Sequence, residues 1–274
     1  MNIRDQYLPQ PWYPRDPEAV RKFLVPFENS GSGSRAAVSP HAGWYYSGRI
    51  SARAVSSLDR GAETVVVIGG HLGAGSPFLF AEEEGVRTPF GVMPIDKELR
   101  DTLKNELDWK ADRYQDNTIE VLLPMVHCFF PKSRLLWVRF PGDLSSYEAG
   151  KILARAALSL GRRIVVLGST DLTHYGENYG FSPKGEGRAA LDWVKNTNDA
   201  AFINAVLAGD PRELLLRADE DYSACSAGAV LGSLGFVHQA KGGKARVLEY
   251  VTSADMSDSG IPDSFVGYTA ISWD

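Results

Sequence analysis

Short runs of β-branched and aliphatic residues recur along the chain, separated by longer stretches whose apolar positions have helical spacing. The runs predict strands over Arg35–Ser39, Thr64–Ile68, Leu135–Phe140, Arg163–Leu167, Arg246–Thr252 and Phe265–Ser272. Two of them, Val65-Val66-Val67-Ile68 and Ile164-Val165-Val166-Leu167, are apolar at every position. That pattern suits strands covered on both faces, as in a largely parallel sheet. The intervening stretches predict helices over Asp16–Phe27, Ser47–Leu58, Asp96–Leu107, Thr118–Phe129, Tyr147–Leu160, Ala189–Leu207, Pro211–Arg217 and Cys225–Gln239. Asn117 with Glu120 three residues on has the form of a capping box for the fourth helix. Strands alternating with helices imply βαβ crossovers, and hence an α/β fold: a three-layer α/β/α domain around a mostly parallel sheet.

The chain has 274 residues, within reach of a single α/β domain, and one domain over 1–274 is expected. The Gly/Ser stretch Ser30–Ser34 is too short for a linker, whereas the Gly-rich Gly176–Gly187 has the length of a flap over a site. A net charge of -5 argues against a general nucleic-acid partner, which needs a positive field. Nowhere do about 18 apolar residues run together. The N-terminus lacks the basic-then-apolar order of a signal peptide, so the expectation is a cytoplasmic protein without a membrane partner.

Histidine and cysteine are scarce: five His and two Cys, without a CxxC pair. This excludes a disulfide scaffold and zinc ribbons, and leaves few candidates for chemistry. In open α/β sheets, ligands bind beyond the carboxyl ends of the strands. His41 follows the first predicted strand and His71 the second, after Gly69-Gly70; Asp171 and His174 follow Ile164–Leu167. Three of the five histidines thus collect where a site belongs. Asp171 near His174 is the usual pairing that fixes a tautomer or raises basicity, although it also suits an Asx-turn. Cys225 lies at the start of a helix, where the thiolate is favoured; burial as a structural thiol is the competing reading. Cys128, in a Phe-rich helix end, reads as a small hydrophobe. His238 reads as a partner of its helix C-terminus. The glycine-rich Gly69–Gly75 does not match GxGxxG and precedes a β-like run, so no nucleotide cofactor is expected. Neither a Walker A sequence nor a GxSxG elbow occurs.

Pro40-His41-Ala42-Gly43-Trp44-Tyr45-Tyr46-Ser47-Gly48 resembles the PHAGYxYSG segment of the Memo family, called AmmeMemoRadiSam system protein B in prokaryotes. The likeness continues through Trp12-Tyr13-Pro14, Thr88-Pro89-Phe90-Gly91, Ile119–Pro124, Ser169–Gly176 and Ser264–Tyr268, in family order across nearly the whole chain. The resemblance implies a fold similar to class III extradiol dioxygenases, which use non-haem iron. It also implies a metal pocket of two histidines and a cysteine, matching His41, His71 and Cys225, with Asp171 and His174 at further polar positions. Two departures stand out. Gly69-Gly70-His71 is one residue shorter than the usual Gly-Pro-x-His, and Asn117 stands where the family's EHSIE segment has histidine.

Three functional readings follow. The leading one is a metal-binding redox protein with Fe(II) on His41, His71 and Cys225, copper or zinc being alternatives, and with Asp171 and His174 as orienter and acid/base. The second is a metal-free enzyme with Cys225 as nucleophile, His174 as base and Asp171 as orienter. The third is a non-catalytic module binding a peptide or small ligand. There Trp44, Tyr45 and Tyr46 form a stacking wall, with Asn117 and Glu120 among the ligand-contacting positions; core packing is the alternative for the aromatics. Radical-SAM and AMMECR-type protein partners are implied by the family's name alone.

Overall fold

In the computed structural model, which describes residues 2–257 and 260–274, the all-apolar strands form the centre of a nine-stranded sheet. In chain order the strands are β1 (Ile3–Arg4), β2 (Ala36–Ser39), β3 (Thr64–Gly69), β4 (Phe78–Phe80), β5 (Gly85–Thr88), β6 (Gly91–Pro94), β7 (Trp109–Ala111), β8 (Arg134–Arg139), β9 (Ile164–Ser169), β10 (His174–Tyr175), β11 (Ala245–Thr252) and β12 (Phe265–Trp273). The helices are α1 (Pro17–Leu24), α2 (Trp44–Ser57), α3 (Lys97–Lys104), α4 (Asn117–Glu120), α5 (Leu123–Phe129), α6 (Ser145–Ser159), α7 (Gly187–Trp193), α8 (Asp199–Ala208), α9 (Pro211–Glu220) and α10 (Ala227–Gln239). The large sheet runs β10-β12-β2-β9-β3-β8-β4-β7, with β11 beside β12; β1, β5 and β6 make a small second sheet. Its centre, β2-β9-β3-β8, is parallel, and β12 closes it antiparallel to β2.

The registers Val65↔Leu135 and Val65↔Val165 align these strands so that alternate side chains enter two separate cores. Val65, Val67, Trp137 and Leu167 pack with α1, α2 and α5, while Val66, Ile68, Leu136 and Val166 pack with α3, α6, α8 and α10. Double coverage is why no polar residue is tolerated along Val65–Ile68, each fully buried aliphatic contributing about 1.5–3 kcal/mol. On the second face α6 and α10 touch backbone to backbone. A Cβ on Gly235 would lie 1.9 Å from the Tyr147 carbonyl oxygen, so only glycine fits there.

Several expected helices are interrupted for local reasons. Asp16 caps α1 through its carboxylate and the Ala19 N–H, at 2.8 Å, but the last turn, Val25–Phe27, is a 3₁₀ turn around Pro26. The helix expected over Thr118–Phe129 divides into α4 and α5, with Pro124 in the first turn of the second. The capping box expected of Asn117 and Glu120 is absent. Asp116 is the cap, accepting from the Thr118 N–H at 2.9 Å. The helix expected over Ala189–Leu207 carries a π-turn at Val194–Asn198 between α7 and α8. The strands missed in sequence, β1, β4–β7 and β10, are two to four residues long, too short to show a period. Among the described residues, no helix is long and apolar enough to cross a membrane.

Candidate metal centre

The parallel strands deliver their chemistry at their carboxyl ends. After β2 the chain turns at Pro40, and His41 is buried there. Its backbone N–H donates to Asp171 Oδ1 at 2.7 Å, and its ring Nδ1 meets Ser169 Oγ at 2.8 Å. That leaves Nε2, 3.4 Å from Cys225 Sγ. After β3 come Gly70 and then His71, whose φ of 57° lies in the left-handed region uncommon for a non-glycine residue. Gly70 is required because a Cβ there would fall 2.3 Å from the Ser226 Cβ. The strand end therefore runs directly against the segment that carries Cys225.

His71 Nδ1 meets Asp116 Oδ2 at 3.0 Å, and the same carboxylate is held by Arg139 Nη2 at 3.2 Å and by Thr118. Each imidazole thus has one nitrogen committed to a fixed partner, the arrangement that orients metal-ligating histidines. Cys225, just ahead of α10, donates its N–H to the Asp171 carbonyl at 3.2 Å, while its Sγ accepts from the Asp171 N–H at 3.3 Å. One ligand atom each from His41, His71 and Cys225 lie within 4.8 Å of one another.

Burial alone pushes the Cys225 thiol up, but the neighbouring His41 and His71 outweigh it and hold the thiol well below its ordinary value. Burial likewise opposes the charged form of both histidines. His41 is nevertheless raised by Asp171 and Cys225, and His71 is raised to about 10 by its hydrogen bond to Asp116 and by Cys225. Asp171 is raised by burial despite the nearby His41. Without a metal the cluster is a compact set of thiolate and imidazolium groups whose charges support one another, and a metal would take the place of the imidazolium protons.

The centre opens into a cavity of about 630 Å³. Asn117, Asp171 and His174 join His41 and His71 in its wall, and Trp12, Tyr46, Tyr179 and Tyr268 supply aromatic faces. Among the described residues no Lys or Arg lines it. His174 donates from Nδ1 to the Leu172 carbonyl at 3.0 Å, so Nδ1 carries a proton and Nε2 is left free of that bond. Its ring sits edge-on to Tyr179 at 5.0 Å. Thr173, the residue before it, is pinned by the fully buried Asp199 of the π-turn region, which accepts from the Thr173 N–H at 3.1 Å and the Tyr250 hydroxyl at 2.7 Å.

The structure brings His41, His71, Cys225, Asp171, His174 and Asn117 together, Asn117 through a 3.0 Å bond from Nδ2 to the His41 carbonyl. Three residues expected to contact ligand lie elsewhere. Glu120 is buried and accepts from the Tyr7 and Leu8 N–H groups and the Tyr13 hydroxyl, tying the N-terminal segment down. Trp44 is buried against Phe23 and donates from Nε1 to the Val121 carbonyl, so it packs the core. Tyr45 is 73% exposed and outside the cavity, leaving Tyr46 as the member of that cluster that faces it. The expected flap contributes Asn178 and Tyr179 to the wall. Cys128 packs against the first core, its thiol raised by burial, and His238 meets the Tyr147 hydroxyl at 2.9 Å in the last turn of α10. Sequence reasoning missed Asp116 and Ser169 as orienters, and Trp12, Tyr179 and Tyr268 as walls. Position beside Asn117, and one residue before Thr170-Asp171, were the only signals for the two orienters.

A profile described as Memo-like protein matches residues 7–272. The chain belongs to the Memo family. A MEMO1 family protein of Pyrococcus furiosus is 31% identical, over 98% of this chain and 98% of that protein. One of Pyrococcus abyssi is 30% identical over 93% and 92% respectively. The crystal structure of an uncharacterized protein from Escherichia coli K12 matches with a TM-score of 0.52 at 13% identity, covering 86% of this chain and 98% of the other. At that identity the likeness speaks to the fold alone. The mixed α/β Memo fold, likened from sequence to class III extradiol dioxygenases, is the architecture observed, with helices on both faces of a parallel-rich sheet. Within it, this Memo-family chain carries a His/His/Cys cluster able to hold a metal.

Proposed function

We propose that this Memo-family chain is a metal-dependent redox enzyme, with Fe(II) held by His41, His71 and Cys225. The observation that carries the proposal is the approach of two imidazoles and a thiol to within 4.8 Å, with both imidazoles in the wall of a cavity of about 630 Å³. The residues fit a metal. Each ring has its second nitrogen occupied by Ser169 or Asp116, and the thiol is poised as thiolate, which is the ligating form. A mixed N₂S set also accepts copper and zinc; iron is preferred by analogy with the dioxygenase-like fold. When bound, the metal would supply coordination positions for substrate and dioxygen and the electrons of a redox step.

The chain's own groups do the rest. His174, with Nδ1–H committed to Leu172, presents Nε2 as general base to a proton on the substrate. Asp171 fixes the His41 backbone through Oδ1, its backbone N–H donates to the Cys225 sulfur, and its carbonyl accepts from the Cys225 N–H. Trp12, Tyr46, Tyr179 and Tyr268 exclude water, and a wall without Lys or Arg suits a small molecule or peptide end that is not strongly anionic. Cytoplasmic location, and action with radical-SAM and AMMECR-type partners, belong to the same proposal; the partners are supported by the family resemblance.

A second reading has one specific observation in its favour. Cys225 Sγ lies 3.4 Å from His41 Nε2, a nucleophile–base distance, so the base of a metal-free cysteine enzyme would be His41 rather than His174. Alkylation of Cys225 separates the two. Protection of the thiol by stoichiometric Fe(II) supports the metal enzyme, whereas unchanged rapid alkylation contradicts it. Ligand capture lost on His41→Ala, with no turnover under any redox condition, would leave the cavity as a binding module.

A further inference from the structure

At the opposite end of the sheet, away from the metal centre, the parallel strands begin among basic residues. Arg35 immediately precedes β2, Arg163 immediately precedes β9, and Arg134 opens β8. The register Thr64↔Arg134 and Thr64↔Ile164 sets Arg134 and Arg163 on either side of the start of β3. Two adjoining hollows of about 530 and 580 Å³ share Arg162 and Arg163. The first adds Arg60, Lys132 and Arg134; the second adds Arg35, Arg155 and Lys241.

Arg162 is committed to Glu98 at 2.7 Å and Asp96 at 3.4 Å, and Arg163 faces Glu63 at 3.8 Å. Arg35, Arg60, Lys132, Arg134, Arg155 and Lys241 make no ion pair among the described residues, and Arg60 instead lies 4.3 Å above the Phe129 ring. Arg35 also donates to the Ala240 carbonyl at 2.9 Å and Asp59 joins the lining of the second hollow, so in a chain whose net charge is -5 the two hollows hold a local excess of positive charge. The second hollow is also apolar at its base, lined by Ala154, Ala157, Ile164 and Phe236, and beside it Leu158 stands 82% exposed. A large aliphatic side chain left in water among arginines has no role in the fold described above.

We propose that this amino-end face docks an acidic polypeptide segment of a protein partner, one that carries an aliphatic side chain between carboxylates. Arginine forks pair carboxylates in a bidentate manner, and arginine around an apolar centre is the composition of protein interfaces. The aliphatic base distinguishes this surface from a single-strand nucleic-acid groove, which needs exposed aromatic rings for stacking. Self-association through this face across a two-fold axis would oppose like charges. The proposal is independent of the metal chemistry at the other end of the sheet.

The test is fluorescence anisotropy of a labelled peptide of repeated Glu-Glu-Leu against the full chain at low ionic strength. A poly-glutamate peptide and a single-stranded oligonucleotide of equal charge serve as comparisons. Binding should fall steeply with salt and weaken by at least about tenfold in Lys132→Glu/Arg134→Glu, where attraction becomes repulsion. Leu158→Ser should weaken the Leu-containing peptide and leave poly-glutamate unchanged. Both variants alter exposed side chains, and an unchanged melting temperature verifies the fold. The proposal is overturned if the peptide does not bind, if the charge reversal has no effect, or if the oligonucleotide or poly-glutamate binds as tightly as the Leu-containing peptide. It is also overturned if light scattering shows that the face is covered by a second copy of the chain.

Discussion

At their carboxyl ends β2, β3 and β9 release the chain into His41, Gly70-His71 and Thr170-Asp171, while at their amino ends they receive it from Arg35, Glu63 and Arg163. In the first set His41, Gly70, Thr170 and Asp171 are buried while His71 opens to solvent, and both histidine rings are held by fixed partners. Ser169 and Asp171 hold His41, Asp116 holds His71, and Asp171 clamps Cys225. The second set is exposed, with Arg163 facing Glu63 at 3.8 Å, and the cations around it, Arg60, Lys132, Arg134, Arg155 and Lys241, make no ion pair among the described residues. Parallel strands pointing the same way thus give one sheet two unlike ends: a preorganised pocket in whose wall no Lys or Arg stands among the described residues, and an open cationic surface. Preorganisation costs strain, visible in His71 at φ 57°, and it is expected only where chemistry needs fixed donors.

The largest effect expected from breaking this contrast is at the sulfur. Cys225→Ser should lower metal affinity by at least about a hundredfold, exceeding the loss typical of an orienting residue; metal titration with a competing chelator measures it. Asp116→Ala leaves all three donor atoms in place but frees the His71 ring. Affinity should then fall about 10- to 100-fold by the same titration. An effect as small as that of an exposed arginine would remove the distinction between the two faces.

A third prediction concerns the support behind His174. Burial raises Asp199 from its ordinary 3.8 to about 6, although Thr173 and Tyr250 donate to it. The folded state therefore holds this proton more tightly than the unfolded one. Its stabilising contribution is fully present below about pH 4 and is lost as pH rises through about 6, amounting to about 3 kcal/mol at most. Thermal melts across that window should show the fall, and Asp199→Asn should flatten it. The smallest effect belongs to the cationic face: Arg163→Ala, removing an exposed pair 3.8 Å long, should change stability by less than about 0.5 kcal/mol in denaturant titration.

Much of this was legible in the residues. The all-apolar runs at Val65–Ile68 and Ile164–Leu167 place the sheet's centre, because a strand covered on both faces has no polar position. The ends of β2, β3 and β9 place His41, His71 and Asp171 together, each two residues beyond its strand. What escaped were effects of pairing at long range. Glu120, four residues past the cap Asp116, looks equivalent to Asn117 in sequence, yet it bonds Tyr7, Leu8 and Tyr13 more than a hundred residues away. Trp44 and Tyr45 are neighbours, but helix geometry turns one into the core and the other into water. The walls from Trp12, Tyr179 and Tyr268 come from three distant segments that no local pattern connects.

The central claim is that His41, His71 and Cys225 bind a redox metal, and metal analysis of anaerobically purified protein with X-ray absorption tests it most directly. The account expects about one iron per chain, with sulfur and imidazole ligation in the wild type and the sulfur contribution lost in Cys225→Ser. Less than about a tenth of an equivalent after reconstitution, or ligation unchanged by Cys225→Ser, would contradict it.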